Sequence, residues 1–282
     1  MWALRGLRDG VLTTRWPVRP DQYAAATRGP ATVLAGPGGV LAVPEAGRPS
    51  GEDLTGLCPS GAIGADQAGR IRVDQGSCIL CGRCVQLRPD IFGWSAGPGS
   101  ASLTRAGLVV PAAEETPEAL AAVADALRTR TRALRRSVHL RHVDAGSDGS
   151  EEWEIMALLN PVYDIHRLGI FFTASPRHAD VLLVTGAGAN GMADSLRETY
   201  EAMPSPKLVV AVGTDAVSGG IVSPSYATSG GVGGIVPVDV WLPGAPPSPF
   251  GILSAILLAL GRLPAGTGSQ ALTSRGAAGD SQ

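Results

Sequence analysis

The chain of 282 residues is poor in cysteine (four), lysine (one) and aromatic residues (5%). Each scarcity excludes something. With so little Phe, Tyr and Trp, the cores must rest on Val, Leu, Ile and Ala, and a 44% hydrophobic content is enough to exclude wholesale disorder. A net charge of −2 and a pI near 6.1 lack the basic footprint of a dedicated nucleic-acid binder, so no nucleic-acid partner is expected. Lys207 is the lone lysine, which we read as a compositional bias rather than chemistry. No transmembrane run is visible: Phe250 to Leu260 is too short to cross a bilayer and predicts a buried helix. Met1 to Trp16 carries several arginines but no apolar signal segment. A cytoplasmic protein is expected, peripheral to a membrane only through partner subunits.

The four cysteines are Cys58, Cys78, Cys81 and Cys84, and none follows residue 84. Cys78-Ile-Leu-Cys81-Gly-Arg-Cys84 is C-x2-C-x2-C, and Cys58 precedes Pro59. A reducing compartment has little use for disulfides, whereas a thiol triplet of this spacing can wrap a cluster. In bacterial ferredoxins the fourth cysteine of each C-x2-C-x2-C-x3-C-P run ligates the other cluster of a pair. Cys58-Pro59 reads as the tail of a first such motif and the triplet as the head of a second. The complementary site is missing: Arg88-Pro89 stands where the second Cys-Pro would fall, and residues 31–47 contain no cysteine. One [4Fe–4S] cluster is therefore expected, with all four cysteines as its ligands. Four thiolates also suit tetrahedral zinc, but zinc sites more often show two separated C-x2-C pairs.

The domain reading follows the composition. Residues 1–105 are expected to form a ferredoxin-like α+β domain, with Arg70–Asp74 as a strand before the cysteine loop. Residues 106–137 connect, through a helix opened by Thr116-Pro117-Glu118 and running to Leu134. Its arginines, Arg128, Arg130, Arg132, Arg135 and Arg136, suit the helix end and read as a solvated face or a docking edge. Residues 138–263 predict a parallel-sheet α/β domain. Its strands are Asp180–Gly186, Lys207–Gly213 and Ile235–Val240, and its helices Met192–Met203 and Phe250–Leu263. Residues 264–282 predict a disordered tail.

Four stretches carry a resemblance across residues 138–263: His142–Ser147, Glu154–Asp164, Ser175–Asp180, and Pro237–Val240 with Pro243-Gly244. They resemble the small, cluster-carrying subunit shared by group 4 [NiFe] hydrogenases and the 20 kDa-type subunit of NADH:quinone oxidoreductase. Asp9–Pro17 resembles the opening of ferredoxin-type subunits of hydrogenase and formate hydrogenlyase complexes. The resemblance implies a flavodoxin-like fold for residues 138–263, and an electron-transfer subunit that docks a hydrogenase large-subunit-like or quinone-reducing partner alongside other electron-transfer subunits. It also implies a second [4Fe–4S] relay, but this chain has changed every ligand position. The family's cysteines fall on Asp148, Glu151, Asp215 and Ala245, so no thiolate-held cluster is possible there. Three carboxylates are hard-metal ligand types, which makes Asp148, Glu151 and Asp215 a candidate metal set. The plain alternative is acids filling a solvated cavity. If they converge without metal, at least one pKa should rise. No catalytic residue is expected, and a non-redox scaffold with structural cysteines or zinc is the alternative function.

Gly186–Gly191 follows a strand but lacks both G-x-G-x-x-G spacing and a P-loop lysine, so nucleotide binding is not expected. His139, His142, His166, His178 and Arg177 form no recognisable triad and read as structural or interfacial.

Overall fold

Val181–Thr185 and Leu208–Val212 are buried at every position, as strands covered on both faces must be. They lie at the middle of a five-stranded sheet in a computed structural model that describes residues 6, 8, 10–34, 54–67, 69–111, 117–134 and 137–263. In chain order the elements are α1 (Gln22–Ala25), β1 (Arg28–Val33), β2 (Ile63–Ala65), β3 (Ile71–Asp74), α2 (Arg83–Leu87), β4 (Phe92–Ala96) and β5 (Val109–Val110). Then come α3 (Pro117–Thr131), β6 (Val138–Asp144), α4 (Ser150–Ala157), β7 (Ile170–Phe172), β8 (Val181–Thr185), α5 (Ala193–Ala202), β9 (Leu208–Val212), α6 (Thr214–Ser218), β10 (Val240–Leu242) and α7 (Pro249–Ala259).

The large sheet runs β7-β6-β8-β9-β10, all parallel. This is the flavodoxin-like order, which places loops at the carboxyl ends of the strands around a crevice. One core face gathers Leu140, Leu183 and Val210 under α7, whose residues are all buried. The other gathers Val143, Leu182, Val209 and Leu196. Full burial of each such Leu or Val stabilises by roughly 1.5–3 kcal/mol. The run from Phe250 thus forms a core helix, and among the described residues no helix is long and apolar enough to cross a membrane.

The first part of the chain builds two small antiparallel sheets, β1-β4 and β2-β3-β5. Their shared core includes Ile63, Ile71, Val73 and Phe92, together with Cys78 and Cys84.

Four expectations change. The strand predicted at Ile235–Val240 begins only at Val240. Pro237 has no N–H for a ladder, and the Asp239 carboxylate instead accepts the Val209 N–H at 2.8 Å and pairs with Arg130 at 2.6 Å. The last helix stops at Ala259 rather than Leu263, where Gly261 turns to φ +64°. The stretch just before residue 105, expected to belong to the ferredoxin-like domain, is a stitch to the other half: Ser102 and Trp241 exchange backbone hydrogen bonds at 2.9 and 2.8 Å, and Leu103 enters the flavodoxin-like core. The helix predicted to Leu134 ends at Thr131. Asp9, Thr116, Arg135, Arg136 and residues 264–282 lie outside the described residues.

Candidate functional site

The four cysteines reach one place from three local structures. Strand β3 ends at Asp74, which caps a single 3-10 turn at Gln75–Ser77. The Asp74 carboxylate accepts the Gly76 N–H at 3.0 Å and the Ser77 hydroxyl at 2.8 Å, and takes two bonds from Arg105 at 2.7 and 2.6 Å. Burial alone would raise the Asp74 carboxyl; Arg105, with Ser77 and Gly76, outweighs it and holds the pKa below its ordinary value. This fixed turn launches the cysteine loop. Leu80 and Gly82 then take positive φ of 58° and 76°, which bends the chain between successive cysteines. A β-carbon on Gly82 would stand 3.0 Å from the Trp94 ring, so glycine is needed for space as well as for φ. Helix α2 carries Cys84.

Cys58 arrives on a separate turn. Its sulfur accepts the Ala62 N–H at 3.2 Å and lies 3.4 Å from the Ser60 hydroxyl, which donates to the Ser77 carbonyl at 2.6 Å. Ser60 thereby ties the Cys-Pro turn to the triplet loop. All four thiols are free and line one cavity whose walls include Ile63 and Val73. Cys78 and Cys84 are buried, while Cys81 is exposed.

The electrostatics agree with that convergence. Burial pushes the Cys78 thiol up, and the negative charges that Cys58 and Cys81 would carry push it further; the backbone N–H groups of Ala31 and Leu80 act the other way. Cys84 is raised by burial and by Cys78. Such thiols stay protonated until a cation compensates them. Among the described residues no three or more His, Cys, Asp or Glu side chains are grouped to hold a metal ion. A single zinc would need every sulfur within about 2.3 Å of one point. A four-iron cluster is a wider body, and four thiols around one apolar cavity are the donor set such a cluster takes.

Of the three acids, Asp148 lies on the loop after β6, Glu151 in the first turn of α4 and Asp215 in α6 directly after β9. Glu151 is not in a solvated cavity: it is 2% exposed, and its Oε1 lies 2.5 Å from where a β-carbon on Gly213 would stand. Its carboxyl is pushed up to about 7, first by burial, then by the charges of Asp215 and Asp148. Asp215 is raised by burial and by Asp148, whereas Ser150 hydrogen bonds hold Asp148 low. The acids therefore share one electrostatic neighbourhood, although burial outweighs their repulsion, and they are not grouped to hold a metal ion. Ala245 is half-buried in the loop after β10.

Gly186 packs on the Gly146–Ser147 backbone, where a β-carbon would stand 2.5 Å away, so only glycine fits that turn. His139 lies 3.7 Å from Asp180, and His166 stacks on Phe171. His142 bonds Thr185, which in turn bonds Glu152; burial lowers its pKa despite the Glu152 carboxylate. His178 and Arg177 lie on a 3-10 turn before β8. Sequence reasoning missed Thr214, whose hydroxyl reaches the Cys78 carbonyl at 2.8 Å. No local pattern signals a bond between such distant residues.

Residues 149–259 match the family described as NADH ubiquinone oxidoreductase, 20 Kd subunit. Formate hydrogenlyase subunit 7 of Escherichia coli (strain K12) is 42% identical over 130 residues, 46% of this chain and 51% of that protein. A probable membrane-bound hydrogenase subunit of Pyrococcus furiosus is 42% identical over 130 residues, 46% of this chain and 78% of that protein. Among solved structures, a chain of an archaeal membrane-bound sulfane sulfur reductase is 26% identical, with a TM-score of 0.41, covering 52% of this chain and 84% of that one. The chain thus spans about half the length of the formate hydrogenlyase subunit and most of the Pyrococcus one. With the family match lying on the flavodoxin-like sheet and its loops, and the Pyrococcus subunit 42% identical over 78% of its own length, the chain belongs to the 20 kDa subunit family of NADH:ubiquinone oxidoreductase.

Proposed function

We propose that this chain is an electron-transfer subunit of a hydrogenase-like or NADH:quinone oxidoreductase-like complex, holding one [4Fe–4S] cluster on Cys58, Cys78, Cys81 and Cys84. The observation that carries the reading is the convergence of all four thiols on one apolar cavity. Bound there, the cluster would supply one-electron transfer. The chain's own residues do the rest. Ile63 and Val73 exclude water, and the Ala31 and Leu80 amides favour negative charge on the Cys78 sulfur. Exposed Cys81 marks the edge where a redox partner can approach.

In this reading residues 1–105 form the ferredoxin-like unit, residues 106–137 connect, and residues 138–263 dock a large-subunit-like or quinone-reducing partner without a relay of their own. Helix α4 supports the docking role. It presents Trp153, 75% exposed, and Met156, 62% exposed, one turn apart. Leu159 and Val162 continue the exposed apolar surface beyond the helix end. An apolar surface of this kind beside a functional crevice marks an interaction site. The relatives named as subunits of a membrane-bound hydrogenase and of formate hydrogenlyase support a multisubunit setting.

Anaerobic isolation followed by iron and sulfide analysis tests the reading. About four irons and four sulfides per chain are expected. One zinc without sulfide would overturn it in favour of a scaffold with structural cysteines.

A further inference from the structure

The carbonyl oxygen of Cys78 is held by a side chain from the flavodoxin-like half. Thr214 Oγ1 donates to it at 2.8 Å across 136 residues of sequence. Thr214 is fully buried, at 0% exposure. Its hydroxyl also accepts the Gly244 N–H at 3.1 Å, and its own N–H donates to the Gly244 carbonyl at 2.7 Å. Donor and acceptor capacities are both used, which is what a buried hydroxyl requires. The turn before Cys78 is seated on the same helix: a β-carbon on Gly76 would stand 2.7 Å from the Arg105 guanidinium and 2.8 Å from Val217. Helix α6, which carries Thr214, Asp215 and Val217, is thus a strut under the cysteine loop.

We infer that Thr214 is a positioning residue for the cysteine cage, fixing through the Cys78 carbonyl the loop that presents Cys78, Cys81 and Cys84. The inference rests on the electron-transfer reading above. Valine would fill the same space but leave the Cys78 carbonyl and the Gly244 N–H unpaired. A loosened Cys78 would draw away from the Ala31 and Leu80 amides that favour charge on its sulfur. Hydrogen bonds to a ligand sulfur stabilise the reduced cluster, so weakening them lowers the reduction potential.

The test compares full-length wild type, Thr214→Val and Thr214→Ser, isolated anaerobically. The readouts are iron and sulfide content, the midpoint potential from EPR-monitored titration, and the rate of bleaching by an iron chelator. Thr214→Val is expected to retain a cluster with a more negative potential and several-fold faster bleaching, and Thr214→Ser to restore both. Thr214→Ala carries the same expectation should the valine variant fail to fold. A valine or alanine variant matching wild type in potential and bleaching, or a serine variant behaving like valine, would overturn the positioning role while leaving the electron-transfer reading intact. Wild type without iron and sulfide would overturn that reading and this inference with it.

Discussion

The Glu151 carboxyl rests against Gly213, with Oε1 2.5 Å and Cγ 2.7 Å from where a β-carbon on that glycine would stand. Gly213 also holds φ at +95°. Gly213→Ala should therefore cost about 1–3 kcal/mol from backbone strain, with displacement of Glu151 adding to it. Urea denaturation at pH 7 checks this, and an unchanged midpoint would contradict the packing described.

Glu151 gives stability a pH dependence of definite sign. Its folded pKa, about 7, lies above the ordinary 4.5, so the folded state binds the proton more tightly. Its contribution is full below pH 4.5 and is lost as pH rises from about 4.5 to 7. Glu151→Gln should remove that loss, stabilising the chain at pH 8 by up to roughly 3 kcal/mol and leaving pH 4 little changed. Chemical denaturation at the two pH values decides. Equal effects at both, or destabilisation at pH 8, would refute the assignment.

Asp74 should act in the opposite sense. Its folded pKa is depressed, so its stabilisation is present above its unfolded value and fades as pH falls through the folded one. Asp74→Asn should cost about 1–2 kcal/mol near neutrality, since both partners are partly exposed, and less in acid. A thermal-melt series in pH checks both the cost and its fading; a cost that grows in acid would contradict it.

The two candidate sites separate cleanly in metal content. Alanine at Cys58, Cys78 or Cys84 should strip most of the iron from anaerobically isolated chain. Alanine at Asp148, Glu151 and Asp215 together should leave it unchanged. Iron analysis of the folded variants settles the contrast, and loss of iron from the acidic triple variant would show that those carboxylates hold metal after all.

Trp153→Glu with Met156→Glu should abolish co-purification with the native partner subunits without changing the circular dichroism of the isolated chain. Undiminished co-purification would move the docking surface elsewhere.

Much of the architecture was legible because its physics is local. Asp180–Gly186 and Lys207–Gly213 are unbroken apolar runs ending in glycine, and such runs become central parallel strands. The cysteine spacing was enough to expect four thiols side by side. Ile235–Val240 misled because its apolar alternation looks like a strand, while Pro237 cannot donate and the Asp239 side chain takes over the bond to Val209. The acids could be placed beyond the ends of β6 and β9 from resemblance, but their burial could not. That depends on Gly213 and Gly220 leaving room for Glu151 and Asp215, which no pattern in the chain announces. The bond from Thr214 to Cys78 is invisible for the same reason, since it exists only once two distant loops meet.

The central claim is tested most directly by EPR spin quantitation of the anaerobically isolated, dithionite-reduced chain. The account predicts close to one cluster spin per polypeptide, lost when Cys58 is replaced by alanine. An EPR-silent wild-type chain that carries no iron would contradict it.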